Sequence, residues 1–253
     1  MVTCLSLPVS ARLARGQHRF YLGTEAIVAI FDDWLVKMIS NYLEGKMLKQ
    51  IASELRHHVA FTALGAATGI LLIVIIVYSN SLPQVAQVSH TIFYTLHPLH
   101  VVLSALVTTA MYKKYTNGKI WAAVLIGYLG SIGIATLSDS VIPYLGESLL
   151  DLPNREMHIG FIEEWWIVNP AAFLGIAISL WKPITKFPHS GHVLISTWAS
   201  LFHVIMALGE TVNWVLFLTI FLFLFLAVWL PCCLSDIVFP LLFTKNRLPP
   251  QHI

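Results

Sequence analysis

Two pairs of histidines stand three residues apart inside apolar stretches of the sequence. His97 and His100 open the segment H-x-x-H-V-V-L-S, and His189 and His192 open the similar segment H-x-x-H-V-L-I-S. Residues at positions i and i+3 share one face of a helix, so each pair can direct two imidazoles at one ion. Neutral imidazole is the commonest metal ligand in proteins. The spacing therefore predicts that all four histidines bind metal.

Two aspartates accompany these pairs, each in a Leu-Ser-Asp segment with a proline four residues further on. Asp139 precedes Pro143, and Asp236 precedes Pro240. A proline cannot donate the helical hydrogen bond to the carbonyl four residues back. A carboxylate and a freed carbonyl therefore coincide at each aspartate, and such broken helices form cation sites in transporters. We predict both aspartates as metal ligands, with helix breaks near Pro143 and near Pro231 and Pro240.

Four more candidate metal ligands occur as adjacent pairs. His57 and His58 precede the first long apolar stretch, and Glu163 and Glu164 precede a later one. Because two tryptophans follow the glutamates, as at a membrane interface, a solvated collar is an equal interpretation of that pair. Two histidines with a carboxylate suit a divalent transition metal such as zinc, iron, cobalt, nickel or manganese. Calcium and magnesium prefer all-oxygen ligand sets.

The composition places these residues in a membrane protein. Of 253 residues, 57% are hydrophobic and 11% are charged, and the mean hydropathy is +0.75. A typical soluble domain has about 25% charged residues, so that class is excluded and the lipid bilayer is the expected partner. The net charge of +2 provides no field for binding nucleic acid. Cys232 and Cys233 are adjacent, which argues against a disulfide framework and favours a packing role for both.

Six stretches are long and apolar enough to cross a bilayer, which takes about 20 residues. Lysine and arginine are concentrated before the first stretch and in every second connection after it. By the positive-inside rule, this pattern predicts a multi-pass integral membrane protein with both termini in the cytoplasm. The predicted spans are 58–79, 90–112, 120–145, 164–181, 191–209 and 212–243.

The histidine and aspartate motifs recur in the same order, which divides the six spans into two sets of three. The histidine pairs fall in spans two and five, and the aspartates in spans three and six. The copies of a three-span repeat must run in opposite directions, as in many secondary transporters. We predict an all-α integral membrane protein with six transmembrane helices in a 3+3 inverted repeat. Its parts are a cytoplasmic or interfacial segment 1–45 with an amphipathic helix, a first repeat 46–146, an extracytoplasmic loop 147–163, a second repeat 164–244 and a cytoplasmic tail 245–253.

Counting residues along the predicted spans separates the ligands into two clusters. The first histidine pair and Asp139 are expected in the outer half of the membrane, and the second pair and Asp236 in the inner half. The glutamate pair falls at the outer edge and the first two histidines at the inner edge. The isolated His90 and His203 are expected to hydrogen-bond a neighbouring helix rather than to bind metal. No special role is predicted for His158.

These features favour a permease for a divalent transition-metal cation, which passes between the two clusters as the repeats rock. A membrane-embedded zinc-dependent hydrolase is the alternative, because Ser138 and Ser235 stand beside the aspartates and zinc can activate water. A b-type haem protein is a second alternative, although histidine pairs on one helix face suit facing axial ligands poorly. Duplication of the motif favours a permease, in which two clusters can form a path for the ion, over an enzyme, which needs only one site. A homo-oligomer and a role as one subunit of a complex are both open.

Overall fold

In the computed structural model of the chain, the described residues are 45–116, 118–182, 186–208, 214–234 and 238–243. The chain divides into two compact units, Met1–Gln50 and Ile51–Ile253. Almost all of the predicted N-terminal segment 1–45 lies outside the described residues. The second unit contains every side chain considered below.

Every regular element in the described part of the chain is helical, as the sequence predicts. Long apolar segments favour helices because a helix satisfies all of its backbone hydrogen bonds within the segment. The helices are α1 (Gly45–Tyr78), α2 (Leu82–Tyr115), α3 (Ile120–Thr136), α4 (Ile142–Leu149), α5 (Gly160–Glu163), α6 (Trp165–Trp181), α7 (Lys186–Ala207), α8 (Trp214–Cys233) and α9 (Phe239–Leu242), and a π-helical turn at Leu137–Val141 joins α3 to α4.

All six predicted spans coincide with apolar helices, and four of these segments are long enough to cross a membrane. Two apolar helices are shorter, Trp165–Trp181 and Gly191–Ala207. The four longer segments are Val59–Tyr78, Leu82–Lys114, Ile120–Leu149 and Val215–Cys232.

Helix α2 begins at Leu82, several residues before the predicted span that starts at residue 90. Pro83 stands in its first turn, where a missing N–H costs nothing because that group has no partner within the helix. The turn before it passes through Asn80, whose φ of 53° lies in the left-handed region that asparagine tolerates. Residues 82–89 mix polar and apolar side chains, so hydropathy alone places them outside the span.

The third predicted span contains an irregular turn at Asp139. Residues Leu137–Val141 form a π-helical turn, and Pro143 follows in the first turn of α4. The proline cannot donate a hydrogen bond back to the carbonyl of Asp139, which accounts for a wider turn here. Such turns inside helices are often found at functional sites. The irregularity lies where the sequence predicts a break near Pro143.

Two helices are described within the sixth predicted span. Helix α8 contains Pro231 and ends two residues later at Cys233. The short helix α9 then contains Pro240. Residues 235–237, between these helices, lie outside the described residues, so the predicted interruption near Pro231 and Pro240 stays a prediction.

Helix α2 is the central element of the packing and contacts α7, α6 and α3. It approaches α6 so closely that a Cβ atom added at Gly175 would lie 2.2 Å from the carbonyl oxygen of Val102. Helix α1 approaches α7 in a similar way, since a Cβ at Gly65 would lie 3.1 Å from Thr197 Oγ1. Small residues allow helices in lipid to pack this closely. The close packing brings α2, α7 and the π-helical turn together.

Candidate metal centre

The carboxylate of Asp139 is the centre of a buried polar cluster. Its Oδ2 atom lies 2.9 Å from His97 Nδ1 and 2.7 Å from His100 Nδ1. Its Oδ1 atom accepts hydrogen bonds of 2.7 Å from the hydroxyls of Ser138 and Ser196. All five residues are buried. A buried carboxylate is costly unless it is hydrogen-bonded, and these four contacts satisfy both oxygens.

Three elements position this cluster. The two histidines come from α2, where their spacing puts both rings on the face that meets Asp139, as the sequence predicts. The aspartate and Ser138 come from the π-helical turn, in which Ser138, Asp139 and Ser140 are all buried. Helix α7 supplies Ser196, and Ser200 on the same helix donates a 2.9 Å hydrogen bond to the carbonyl of Ser138. Hydrogen bonds therefore join the π-helical turn to both α2 and α7.

The Asp139 carboxylate determines which ring nitrogen of each histidine remains available to bind a metal ion. A carboxylate only accepts hydrogen bonds, so His97 and His100 each donate Nδ1–H to Asp139. Their Nε2 atoms are buried without a hydrogen-bond partner. Metal-binding histidines usually donate the second ring N–H to a carboxylate or carbonyl in this way. Asp139, which the sequence predicts as a direct ligand, has the geometry of a residue that orients histidine ligands.

The donor atoms of His100, His192 and Cys232 lie within 4.8 Å of one another, and all three residues are buried. The rings of the two histidines are parallel within 8°, with centroids 5.8 Å apart. The sulfur of Cys232 lies 3.9 Å from Ser196 Oγ, which links it to the network around Asp139. These three residues, which could hold a metal ion, come from α2, α7 and α8 and are called the metal-ligand triad below. It is the one such group of three found among the described residues.

The triad differs from the predicted arrangement in two respects. The sequence places His100 and His192 in separate clusters in opposite halves of the membrane, and this separation is wrong because their rings are stacked. The sequence favours a packing role for Cys232, which is confirmed by its buried cluster with Val193 and Val228, but its sulfur also lies within 4.8 Å of ligand atoms of the two histidines. The H-x-x-H and L-S-D motifs led to the histidines and the aspartate. The chemistry of cysteine as a soft ligand is the only sequence signal for Cys232.

His97 bonds Asp139 but lies outside the ligand triad. Its ring stacks on Phe93 with a centroid distance of 5.3 Å. On another side, a Cβ added at Gly160 would lie 2.7 Å from His97 Nε2. The ring is therefore held between an aromatic side chain and a backbone that only glycine allows so close.

Four of the predicted ligands fall outside the part of the chain that can be described. His57 and His58 lie in α1 and His189 lies in α7, but their side chains are outside the described residues. Asp236 lies outside them altogether. The proposed equivalence of Asp236 with Asp139 therefore stays a prediction.

Glu163 lies in a second polar cluster, near the surface. Its carboxylate accepts hydrogen bonds from the Tyr94 hydroxyl and from the backbone N–H of Ile159 at 2.9 Å. His158 Nδ1 lies 3.2 Å from the same carboxylate. Partial burial by itself raises the pKa of Glu163. The hydrogen bonds and the neighbouring His158 lower it by a larger amount, so the pKa of Glu163 lies below the ordinary glutamate value. Glu163 and the neighbouring Glu164 are outside the metal-ligand triad.

A buried histidine–carboxylate pair lies beside this cluster. His203 Nδ1 on α7 is 2.7 Å from Glu147 Oε1 on α4, and each side chain is 1% exposed. The prediction that His203 hydrogen-bonds a neighbouring helix is confirmed. His158, for which no role is predicted, has its ring 5.4 Å from that of His203 and 5.7 Å from that of His90. Three histidines distant in sequence therefore meet at one place.

The charges of the central cluster suit a divalent cation. With neutral imidazoles, Asp139 contributes one negative charge, and a metal-bound Cys232 thiolate contributes a second. A divalent ion between His100, His192 and Cys232 would balance both charges in a region where an uncompensated charge is expensive. Two histidines and a thiolate are typical of zinc or copper sites, and three protein ligands leave a position for water or another ligand.

Comparisons of the chain with protein-family models, with curated proteins and with solved structures found no match.

Proposed function

We propose that the protein is a membrane permease for a divalent transition-metal cation, with the ion bound by His100, His192 and Cys232. The observation that carries this proposal is the convergence of three buried ligand atoms within 4.8 Å. Asp139 supports it by holding the Nδ1 atom of His100, which leaves Nε2 for the metal. The cysteine makes zinc the first ion to test, ahead of iron, cobalt, nickel and manganese.

The transport part of the proposal rests on where the ligands come from. His100 belongs to the first predicted repeat, while His192 and Cys232 belong to the second. A single site between two repeats is the arrangement of many secondary transporters, in which rocking of the repeats exposes the site to alternate sides. Separation of α2 from α7 would pull the ligands apart and release the ion. The site thus favours transport between repeats over storage of a structural ion.

The membrane topology is proposed with it. We infer six spans in a 3+3 inverted repeat with cytoplasmic termini, including the two shorter helices. Trp165–Trp181 has 17 residues, the lower end of the roughly 17–25 residues needed for a crossing. The pairing of His100 with its sequence counterpart His192 supports the repeat, because equivalent residues meet at a pseudo-twofold axis.

A zinc-dependent hydrolase is the second candidate, and one observation favours it. Ser138 and Ser196 place two hydroxyls on Asp139 beside a single ligand triad. A single site with an open coordination position is also what metal-assisted hydrolysis requires. Hydrolysis of a lipid amide without metal flux would establish this candidate and exclude the permease.

The proposal is tested first by metal content and then by flux. Protein purified in detergent without chelator is expected to retain one zinc ion per chain, measured by plasma mass spectrometry. His100→Ala, His192→Ala and Cys232→Ala should each lose it. His90→Ala is the matched control, since His90 lies on the same helix as His100 but is exposed. Absence of a Soret band would exclude the haem alternative.

Flux is then measured in proteoliposomes with external Zn²⁺ and an internal zinc dye. Wild-type protein should admit Zn²⁺ faster than protein-free vesicles, and the three ligand variants should not. A wild-type protein that holds no metal, or that binds zinc without any flux, contradicts the permease proposal.

A further inference from the structure

The buried pair of Glu147 and His203 is not used by the metal centre. The carboxylate and the imidazole are joined by one 2.7 Å contact. The second oxygen of Glu147 and the Nε2 atom of His203 are both buried without a hydrogen-bond partner. Leaving buried polar atoms unsatisfied is costly. Ionisable groups inside a membrane segment are expensive and generally retained for function.

A route of titratable groups leads from the surface to this pair. Glu163 is 40% exposed and contacts His158, which is 13% exposed. The ring of His158 then meets the ring of His203 edge to face, with centroids 5.4 Å apart. An exposed carboxylate and one partly exposed histidine therefore lie in sequence between the surface and His203.

Phe93 separates the pair from the central cluster. Its ring centroid lies 5.4 Å from that of His203 and 5.3 Å from that of His97. An aromatic ring carries no proton, so the pair connects to the surface on one side and faces an apolar barrier on the other. The two clusters are nevertheless only two ring contacts apart, close enough for their charges to interact in a medium of low dielectric constant.

The charge of the pair depends on its own protons. The titratable groups around it are His158 with His90, Tyr94 and Glu163 on the surface side, and His97 with Asp139 beyond Phe93. Helix α8, which packs against both α4 and α7, has no Asp, Glu, Lys, Arg or His in its sequence. Among the residues that the structure describes, no lysine or arginine is hydrogen-bonded or ion-paired to Glu147 or His203, so protonation can neutralise the negative charge of the pair.

We propose that Glu147 and His203 form a proton-carrying site that couples metal movement to proton movement in the opposite direction. The inference rests on the proposed function. Neutral His203 donates Nδ1–H to Glu147, and the pair carries one negative charge. A proton arriving through His158 bonds to Nε2, which forms an imidazolium and neutralises the pair. A divalent ion entering the central cluster repels this proton. As the repeats rock, the pair becomes open to the opposite side of the membrane, where the Nε2–H bond breaks and the proton leaves to water.

The experiment uses full-length protein in proteoliposomes with Zn²⁺ and a membrane potential clamped at zero. An interior one pH unit more acidic should drive wild-type protein to accumulate Zn²⁺ about tenfold for each proton exchanged. Glu147→Gln keeps the size and hydrogen bonding of the side chain but cannot carry its charge, so Zn²⁺ should equilibrate without accumulation. His203→Gln should behave in the same way. Glu156→Gln, at an exposed glutamate of the neighbouring loop, should accumulate Zn²⁺ as the wild type does.

Two further measurements separate coupling from folding and from the proposed function. Glu147→Gln should retain stoichiometric zinc, and Glu147→Asp, which restores the carboxylate, should restore accumulation. Full accumulation by either Glu147→Gln or His203→Gln overturns the proton-carrying site while leaving the permease intact. Wild-type protein that moves Zn²⁺ without response to the pH gradient also overturns it. Wild-type protein that moves no Zn²⁺ overturns the permease and the coupling together.

Discussion

Replacing Asp139 by asparagine tests the link between the polar cluster and the metal. The carboxylate accepts two hydrogen bonds from imidazoles at 2.9 and 2.7 Å. A hydrogen bond to a charged group contributes about 1.5–3 kcal/mol and a neutral one about 0.5–1.5 kcal/mol, so each bond should weaken by about 1 kcal/mol. Only the bond to His100 orients a proposed metal ligand, so the loss of about 1 kcal/mol corresponds to a metal affinity at least roughly fivefold weaker.

The hydrogen-bonding chemistry of the asparagine amide also predicts a weaker metal affinity. If the asparagine NH₂ group takes the position of Oδ2, it faces two N–H donors. His97 and His100 must then move their protons to Nε2, where His100 would no longer bind a metal. If the amide takes the opposite orientation, the serine hydroxyls can rotate, but the histidines bond a neutral oxygen. Loss of a carboxylate that orients metal ligands generally weakens binding about 10–100-fold.

The assay is a competition titration of purified protein with Zn²⁺ and a chelating dye. Ser140→Ala is the matched control, since Ser140 lies in the same turn, is buried and has a hydroxyl without a hydrogen-bond partner. Removing that hydroxyl should leave zinc affinity unchanged. If Asp139→Asn binds zinc within about twofold of the wild type, at the same stoichiometry, then Asp139 does not orient the ligands and the assignment is wrong.

Three further changes have defined outcomes. Cys232→Ser should reduce bound zinc, measured by mass spectrometry, to well below one ion per chain, because a serine hydroxyl stays protonated. Full zinc occupancy in this variant would show that the Cys232 sulfur is not a ligand. Gly175→Ala should destabilise the protein by about 1–3 kcal/mol in thermal unfolding, because its Cβ would meet the Val102 carbonyl at 2.2 Å. Gly133→Ala, whose Cβ would have no neighbour within 4 Å, should leave the thermal stability unchanged. Because hydrogen bonding lowers the pKa of Glu163, its stabilising contribution should be complete above the ordinary glutamate pKa and lost as the pH falls through the lowered value. Glu163→Gln should flatten this acid-side fall in Tm, and identical Tm profiles would contradict it.

Local features of the chain determined the helices and part of the site. Apolar runs of sufficient length placed a helix at every predicted span, because lipid requires backbone groups to bond within their own segment. The i and i+3 spacing put His97 and His100 on one face, and both meet Asp139. Pro143 marked the irregular turn that carries this aspartate. Each of these results depends on residues a few positions apart.

Only the tertiary structure decided which faces meet. Stacking of His100 on His192 depends on the rotation of α7 against α2, which no local pattern encodes. The approach of Cys232 depends on the position of α8 as well. His203 and Glu147 are likewise brought together by packing between α4 and α7. Counting residues along isolated spans assigns each side chain a depth but leaves helix tilt, crossing and rotation undetermined. Packing of the helices therefore brings together His100 and His192, which the sequence assigned to separate clusters.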